Sequence, residues 1–135
     1  MPSDLIQAIE SARAAEKSQA LFYRALAAEA EERGDAALSE RFNDLHADEQ
    51  HHLSRLSVRL MELGASPVEL GDTRADVVAI DGWEPVARGR EEAEVRRYET
   101  MLEGALDEPT AALVREILDT ERHHAEELGG KWTVA

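Results

Sequence analysis

Apolar residues recur along most of the chain in steps of three and four. Between Ala36 and Leu63 they fall at Leu38, Phe42, Leu45, Leu56, Leu60 and Leu63, and Glu49 and His52 fill the gap in the series. The positions 38, 42, 45, 49, 52, 56, 60 and 63 form the buried stripe of one helix, with two ionisable residues where leucine is expected. The C-terminal region repeats the pattern as Val114, Ile117, Glu121, His124 and Leu128. Two further seams read Ile9, Ala12, Glu16, Gln19 or Ala20, Tyr23, Ala27, Ala30, and Glu91, Glu94 (with Val95), Tyr98, Met101 or Leu102, Ala105. Each of these also carries a carboxylate on its apolar face.

Punctuation sets the element boundaries. Ser3 or Asp4 is placed to cap a first helix, Gly34-Asp35 ends it, Gly64 and Pro67 end the second, and Asp107-Glu108-Pro109 turns the chain before the last. The reading is all-α: helices over about 4–33, 36–63, 85–106 and 109–128. Short turns make each consecutive pair an antiparallel hairpin, so residues 1–135 form a single domain, a four-helix bundle of two hairpins joined by a long crossover at 64–84. Within the crossover, Val77-Val78-Ala79-Ile80 reads as a short extended piece and Trp83 as packing over a bundle end. The tail Lys131–Ala135 is expected to fray.

Composition narrows the partners. The 135 residues include 29 acidic and 15 basic side chains, a formal net charge of −14, which argues against nucleic acid or an anionic membrane and favours cations. With no cysteine, a disulfide, a thiolate-bound zinc or an iron–sulfur centre within this chain is excluded. No apolar run reaches the ~18 residues needed to span a bilayer, and Met1-Pro2-Ser3-Asp4 lacks a basic region followed by an apolar block, so a soluble cytoplasmic protein is expected.

The carboxylates and histidines carry the chemistry. A Glu and a His three residues apart project from one helix face, so Glu49 with His52, and Glu121 with His124, can each grip one ion. Both hairpins present the same order: Glu16 and Tyr23 then Glu49 and His52, and Glu91 and Tyr98 then Glu121 and His124. The separations Glu16–Glu49 and Glu91–Glu121 are 33 and 30 residues, which return the second helix of an antiparallel pair to the level of its first Glu. Burying a carboxylate without a compensating partner costs several kcal/mol, so cations on the seam are the economical explanation. Four carboxylates and two imidazoles then suit two divalent ions. His46, His51 and His123 lie beside the seam and read as surface groups or groups behind the ligands.

This duplicated set resembles the ferritin-like superfamily, particularly bacterioferritin and the rubrerythrin di-iron domain, over nearly the whole chain. The resemblance implies Glu16 and Glu91 as terminal ligands, Glu49 and Glu121 as bridging ligands, and His52 and His124 as the nitrogen ligands of two irons. Rubrerythrins carry a second Glu one turn on in their third helix, which matches Glu94. Tyr23 and Tyr98 would orient carboxylates or supply an electron. The chain departs from full rubrerythrins in lacking a cysteine-ligated electron-transfer domain, and from ferritins in lacking a fifth helix.

The function implied is a di-iron carboxylate oxidoreductase that reacts ferrous iron with hydrogen peroxide or dioxygen, as a rubrerythrin-like peroxidase or a ferroxidase, supplied by an external electron donor. Manganese satisfies the same ligand types. Two alternatives share the sequence: an iron-sequestering protein without turnover, and a metal-free helical interaction module. A homodimer is expected, and a crossover of about 21 residues is long enough to stay within one bundle or to exchange a hairpin with a neighbouring chain.

Overall fold

The computed structural model describes residues 2–75 and 79–129. Four α-helices and one short 3-10 turn account for the regular structure, with no strand among the described residues. The helices are α1 (Pro2–Glu32), α2 (Ala36–Glu62), α3 (Trp83–Glu103) and α4 (Glu108–Glu127). Two compact units divide the chain after Ile80, and each holds one helical hairpin.

In the first unit, α1 stops in the manner its glycine dictates. Gly34 takes φ +75°, its N–H donates to the Glu31 carbonyl and the Asp35 N–H reaches back to the Ala30 carbonyl at 3.0 Å. This left-handed stop satisfies carbonyls that the helix end would otherwise expose. Asp35 then starts the next helix, its side chain accepting from the Leu38 N–H at 3.1 Å. Two residues thus end one helix and begin another. The helices run antiparallel, because contacts descend on one as they rise on the other: Ser39 Oγ donates to the Ala27 carbonyl, and Arg13 Nε to Ser57 Oγ.

The hairpin core follows the seams. Ile9, Ala12, Ala20, Tyr23, Ala27 and Ala30 on α1 are buried, as are Phe42, Leu45, Leu56 and Leu60 on α2, while Leu38 and Leu63 at the ends are half-buried. Phe22 and Leu26 widen the buried face of α1, and the Phe22 ring meets Tyr23 edge-on at 5.2 Å. After Gly64, at φ +83°, the connection lies back against α1. The Val68 N–H donates to Glu10 Oε2 and its carbonyl accepts from Arg13 Nη1, both at 2.8 Å. Glu10 and Arg13, themselves paired at 2.9 Å, therefore satisfy both backbone groups of one crossover residue.

The second unit is shorter. Ile80–Gly82 forms the 3-10 turn that leads into α3, and Trp83, the first residue of that helix, is buried. Asp107 caps α4 through the Thr110 N–H, with a proline in the first turn. Ala87, Glu91, Glu94 and Tyr98 are buried on α3; Thr110, Ala111, Leu113, Val114, Ile117, Leu118, Glu121 and His124 on α4.

Several expected boundaries move. The first helix begins at Pro2, so Asp4 lies inside its first turn and does not cap it, while the Ser3 side chain lies outside the described ones; proline is suited to the first position because it has no N–H to leave unsatisfied. The third helix begins at Trp83 and ends at Glu103, where Gly104 adopts extended ψ, leaving Ala105 exposed outside the helix. Ile80 belongs to a 3-10 turn and not to an extended piece. Val77 and Val78, and the tail from Gly130 on, lie outside the described residues.

Candidate metal centre

Each hairpin brings two carboxylates and an imidazole together on facing helices. In the first, Glu16 comes from α1 and Glu49 and His52 from α2, one turn apart on the same face. One ligand atom from each lies within 4.8 Å of the others. His52 Nδ1 stands 3.5 Å from Glu16 Oε1 and 3.6 Å from Glu49 Oε1. The second hairpin repeats this with Glu91 from α3 and Glu121 and His124 from α4, again within 4.8 Å of one another. His124 Nδ1 stands 3.4 Å from Glu91 Oε2 and 3.2 Å from Glu121 Oε1.

Burial makes these clusters unusual. Glu16, Glu49, Glu91 and Glu121 are 0% exposed, His52 5% and His124 2%. Acidic side chains are seldom fully buried unless paired or bound to a metal. The donor set and its spacing both fit an ion. Two donors each about 2.1 Å from a shared small divalent cation stand roughly 3.0–3.4 Å apart, depending on the angle between them, and the nitrogen–oxygen separations of 3.2–3.6 Å fall close to that window. Carboxylate and imidazole together suit iron, manganese or zinc; the absence of cysteine removes the softer choices.

The other candidates separate clearly. Glu94 is buried at 6% exposure one turn beyond Glu91, but it is not among the atoms drawn together around His124; its Oε2 lies 3.7 Å from Arg97 Nε. Tyr23 and Tyr98 are fully buried, seven residues beyond Glu16 and Glu91 on the same helices. His51 and His123 are exposed, with His123 Nε2 3.1 Å from Glu127 Oε1 on the surface of α4. His46 is half-buried, and burial, then the positive charges of Arg24 and Lys17, lower its pKa. The sequence reading passed over Glu84, buried in the first turn of α3, because the punctuated segment before it showed no period. It named Gln19 only as an alternative on the α1 seam, and both Gln19 and Ala20 are buried.

Comparison with solved structures gives the class. The fold matches Desulfovibrio desulfuricans bacterioferritin, a protein with a di-iron site, at a TM-score of 0.88 and 20% identity, covering 96% of this chain and 78% of that one. It also matches ferritin-like di-iron-carboxylate proteins of Bacillus anthracis at a TM-score of 0.79 and 25% identity, covering 94% of each. The fold is therefore the four-helix bundle of ferritin-like proteins. Within that class, residues 7–130 match the rubrerythrin family, and the chain belongs to it. At the sequence level no curated protein matches.

Proposed function

We propose that this protein is a di-iron oxidoreductase that oxidises ferrous iron with hydrogen peroxide or dioxygen, in the manner of a rubrerythrin-like peroxidase or a ferroxidase. The observation that carries the reading is the repetition: two buried Glu, Glu, His clusters, assembled the same way on two different hairpins of a rubrerythrin-family chain. In this reading Glu16, Glu49 and His52 hold one iron and Glu91, Glu121 and His124 the other, with the shared roles that the family resemblance implies for Glu49 and Glu121.

When bound, the iron pair supplies one electron per ion to the oxidant. The residues do the rest. In each hairpin two carboxylates would offset the charge of one divalent ion, leaving each buried cluster nearly neutral. Burial of these side chains keeps bulk water from competing for them. Tyr23 and Tyr98 orient the carboxylates through their hydroxyls. Conversion of hydrogen peroxide to two waters consumes two electrons and two protons. An external donor would supply those two electrons for each further turnover.

The formal net charge of −14 supports cation delivery. No helix among the described residues is long and apolar enough to cross a membrane; in this reading the protein acts in the cytoplasm as a homodimer.

The test is anaerobic. Protein loaded with ferrous iron should consume peroxide over repeated cycles when a reductant is supplied, and Glu49→Ala should slow the reaction at least about 100-fold, since even groups behind a metal ligand cost 10–100-fold when removed. A Glu49→Ala protein that reacts as fast as the parent overturns the assignment. Stoichiometric iron uptake with a single round of oxidation replaces it with a sequestering role.

A further inference from the structure

One edge of the first hairpin, between the cross-helix bonds Ser39 to Ala27 and Arg13 to Ser57, differs in charge from the rest of the chain. Steps of three and four bring Lys17, Leu21 and Arg24 to one side of α1, and Asn43, His46 and Gln50 to the facing side of α2. No carboxylate falls among them. Arg24, Asn43 and Gln50 are exposed, and Lys17, Leu21 and His46 are half-buried. Elsewhere Arg33, Arg59, Arg88, Arg115 and Arg122 each lie 2.6–3.7 Å from a Glu oxygen. Among the described residues Lys17 and Arg24 have no such partner. Burial first, then the charges of Arg24 and Lys17, disfavour a proton on His46, so both cations lie close enough to it to be felt. An acidic recess lined by Glu31, Glu40 and Asp44 lies at the turn end of this strip, and Glu10 takes up Arg13 at the other. The strip is a positive island in a chain of formal net charge −14.

We propose that this strip is the docking surface for an acidic electron-carrier protein, held against the first hairpin by Lys17 and Arg24 through complementary charge. The proposal rests on the oxidoreductase reading above, which calls for an external donor and leaves its point of contact open. A net charge of −14 repels an acidic protein over most of the surface, so the encounter is directed to the place where that charge is reversed. Half-buried Leu21 offers an apolar contact between the two cations, and the amides of Asn43 and Gln50 can donate to a carboxylate without repelling it. The strip also shares its helical turns with the buried cluster. Lys17 follows Glu16 in the chain, and His46 precedes Glu49 by three residues, about 4.5 Å along the helix axis. Each encounter passes one electron and leaves one carrier oxidised. Two encounters therefore return the two electrons that conversion of one hydrogen peroxide to two waters consumes.

The experiment uses a plant-type ferredoxin, an acidic one-electron protein, as the probe. Its oxidised form is titrated into the metal-free full chain at low ionic strength, where exposed charges are least screened, so that docking is read with no iron present. Lys17→Gln combined with Arg24→Gln should weaken binding about tenfold and flatten its dependence on salt. Arg88→Gln combined with Arg96→Gln removes the same charge from α3 and should leave binding within about threefold of the parent. Far-UV circular dichroism checks that both variants are folded. In iron-loaded protein the Lys17 and Arg24 changes should slow reduction by reduced ferredoxin by a similar factor, and leave peroxide consumption driven by a small neutral hydroquinone unchanged. Equal weakening by the two pairs of changes, or none by either, overturns the docking surface and leaves the iron chemistry intact. Inorganic phosphate bound at Lys17 and Arg24, with ferredoxin binding unchanged in their variant, makes the strip a small-anion site and overturns the docking as well. A parent protein that binds ferredoxin through these residues but never oxidises ferrous iron overturns the electron-transfer role together with the reading it rests on.

Discussion

The helices of the first hairpin run 31 and 27 residues, those of the second 21 and 20, yet the imidazole-to-carboxylate distances differ by only a few tenths of an ångström between them. Length is absorbed at the ends, while the register around each first Glu is kept. The longer hairpin has aromatic filling from Phe22, Tyr23 and Phe42 and carries a crossover strapped to its flank by Glu10 and Arg13. The shorter one relies on Val114, Ile117 and Leu118 with Tyr98 and Trp83. What the two have in common is thus the ligand geometry and the start of the second helix, where Asp35 and Asp107 each cap the third residue beyond. The clustered carboxylates and imidazoles are placed by helix pitch and by the closing turn, and the rest of each hairpin differs.

The largest effects should come from the core. Phe42→Ala removes a fully buried ring from the first hairpin and should cost about 3–5 kcal/mol in denaturant unfolding, whereas Ile117→Val in the second removes one methyl group and should cost about 0.5–1.5 kcal/mol. Equal losses would show that the Phe42 ring contributes no more to its core than one methyl group of Ile117 does to the other.

The caps come next. Asp35→Ala and Asp107→Ala should each cost about 1 kcal/mol, with the Asp35 change the larger, because its bond to the following helix is 3.1 Å against 3.4 Å for Asp107. The opposite order, measured by thermal melting, would mean that the cap distance is not the controlling quantity.

The smallest effect concerns His46 in the first hairpin. Burial and the charges of Arg24 and Lys17 favour the neutral form of His46 in the folded state, below its usual value of 6.5. The unfolded chain then binds more protons, so stability is held above about pH 6.5 and declines as the pH falls toward the folded value. His46→Gln should flatten that part of the curve relative to the parent. A difference curve with no slope there would remove His46 from the account.

Much of this was legible in the sequence for a physical reason. The interior of a long helix is specified by period alone, and the α2 seam from Phe42 to Leu60 came through as a run of buried positions with Glu49 and His52 inside it. Ends are specified by local backbone chemistry, and there the reading was less complete. Gly34-Asp35 was visible because a left-handed glycine followed by a capping aspartate is a strong signal. Trp83 as a helix start was hidden behind Pro85, which sits in the first turn without breaking it. Small polar residues such as Ser39 and Thr110 are buried by the close approach of helices, a tertiary effect with no periodic trace. The strap at Val68 joins residues 58 apart and had no local signature.

Both site histidines turn Nδ1, not Nε2, toward the carboxylates. A ring that ligates through Nδ1 must offer its lone pair there, which confines the imidazole hydrogen to Nε2 in the loaded protein. Nitrogen-15 spectra of diamagnetic zinc-substituted protein would therefore show a single tautomer at His52 and at His124.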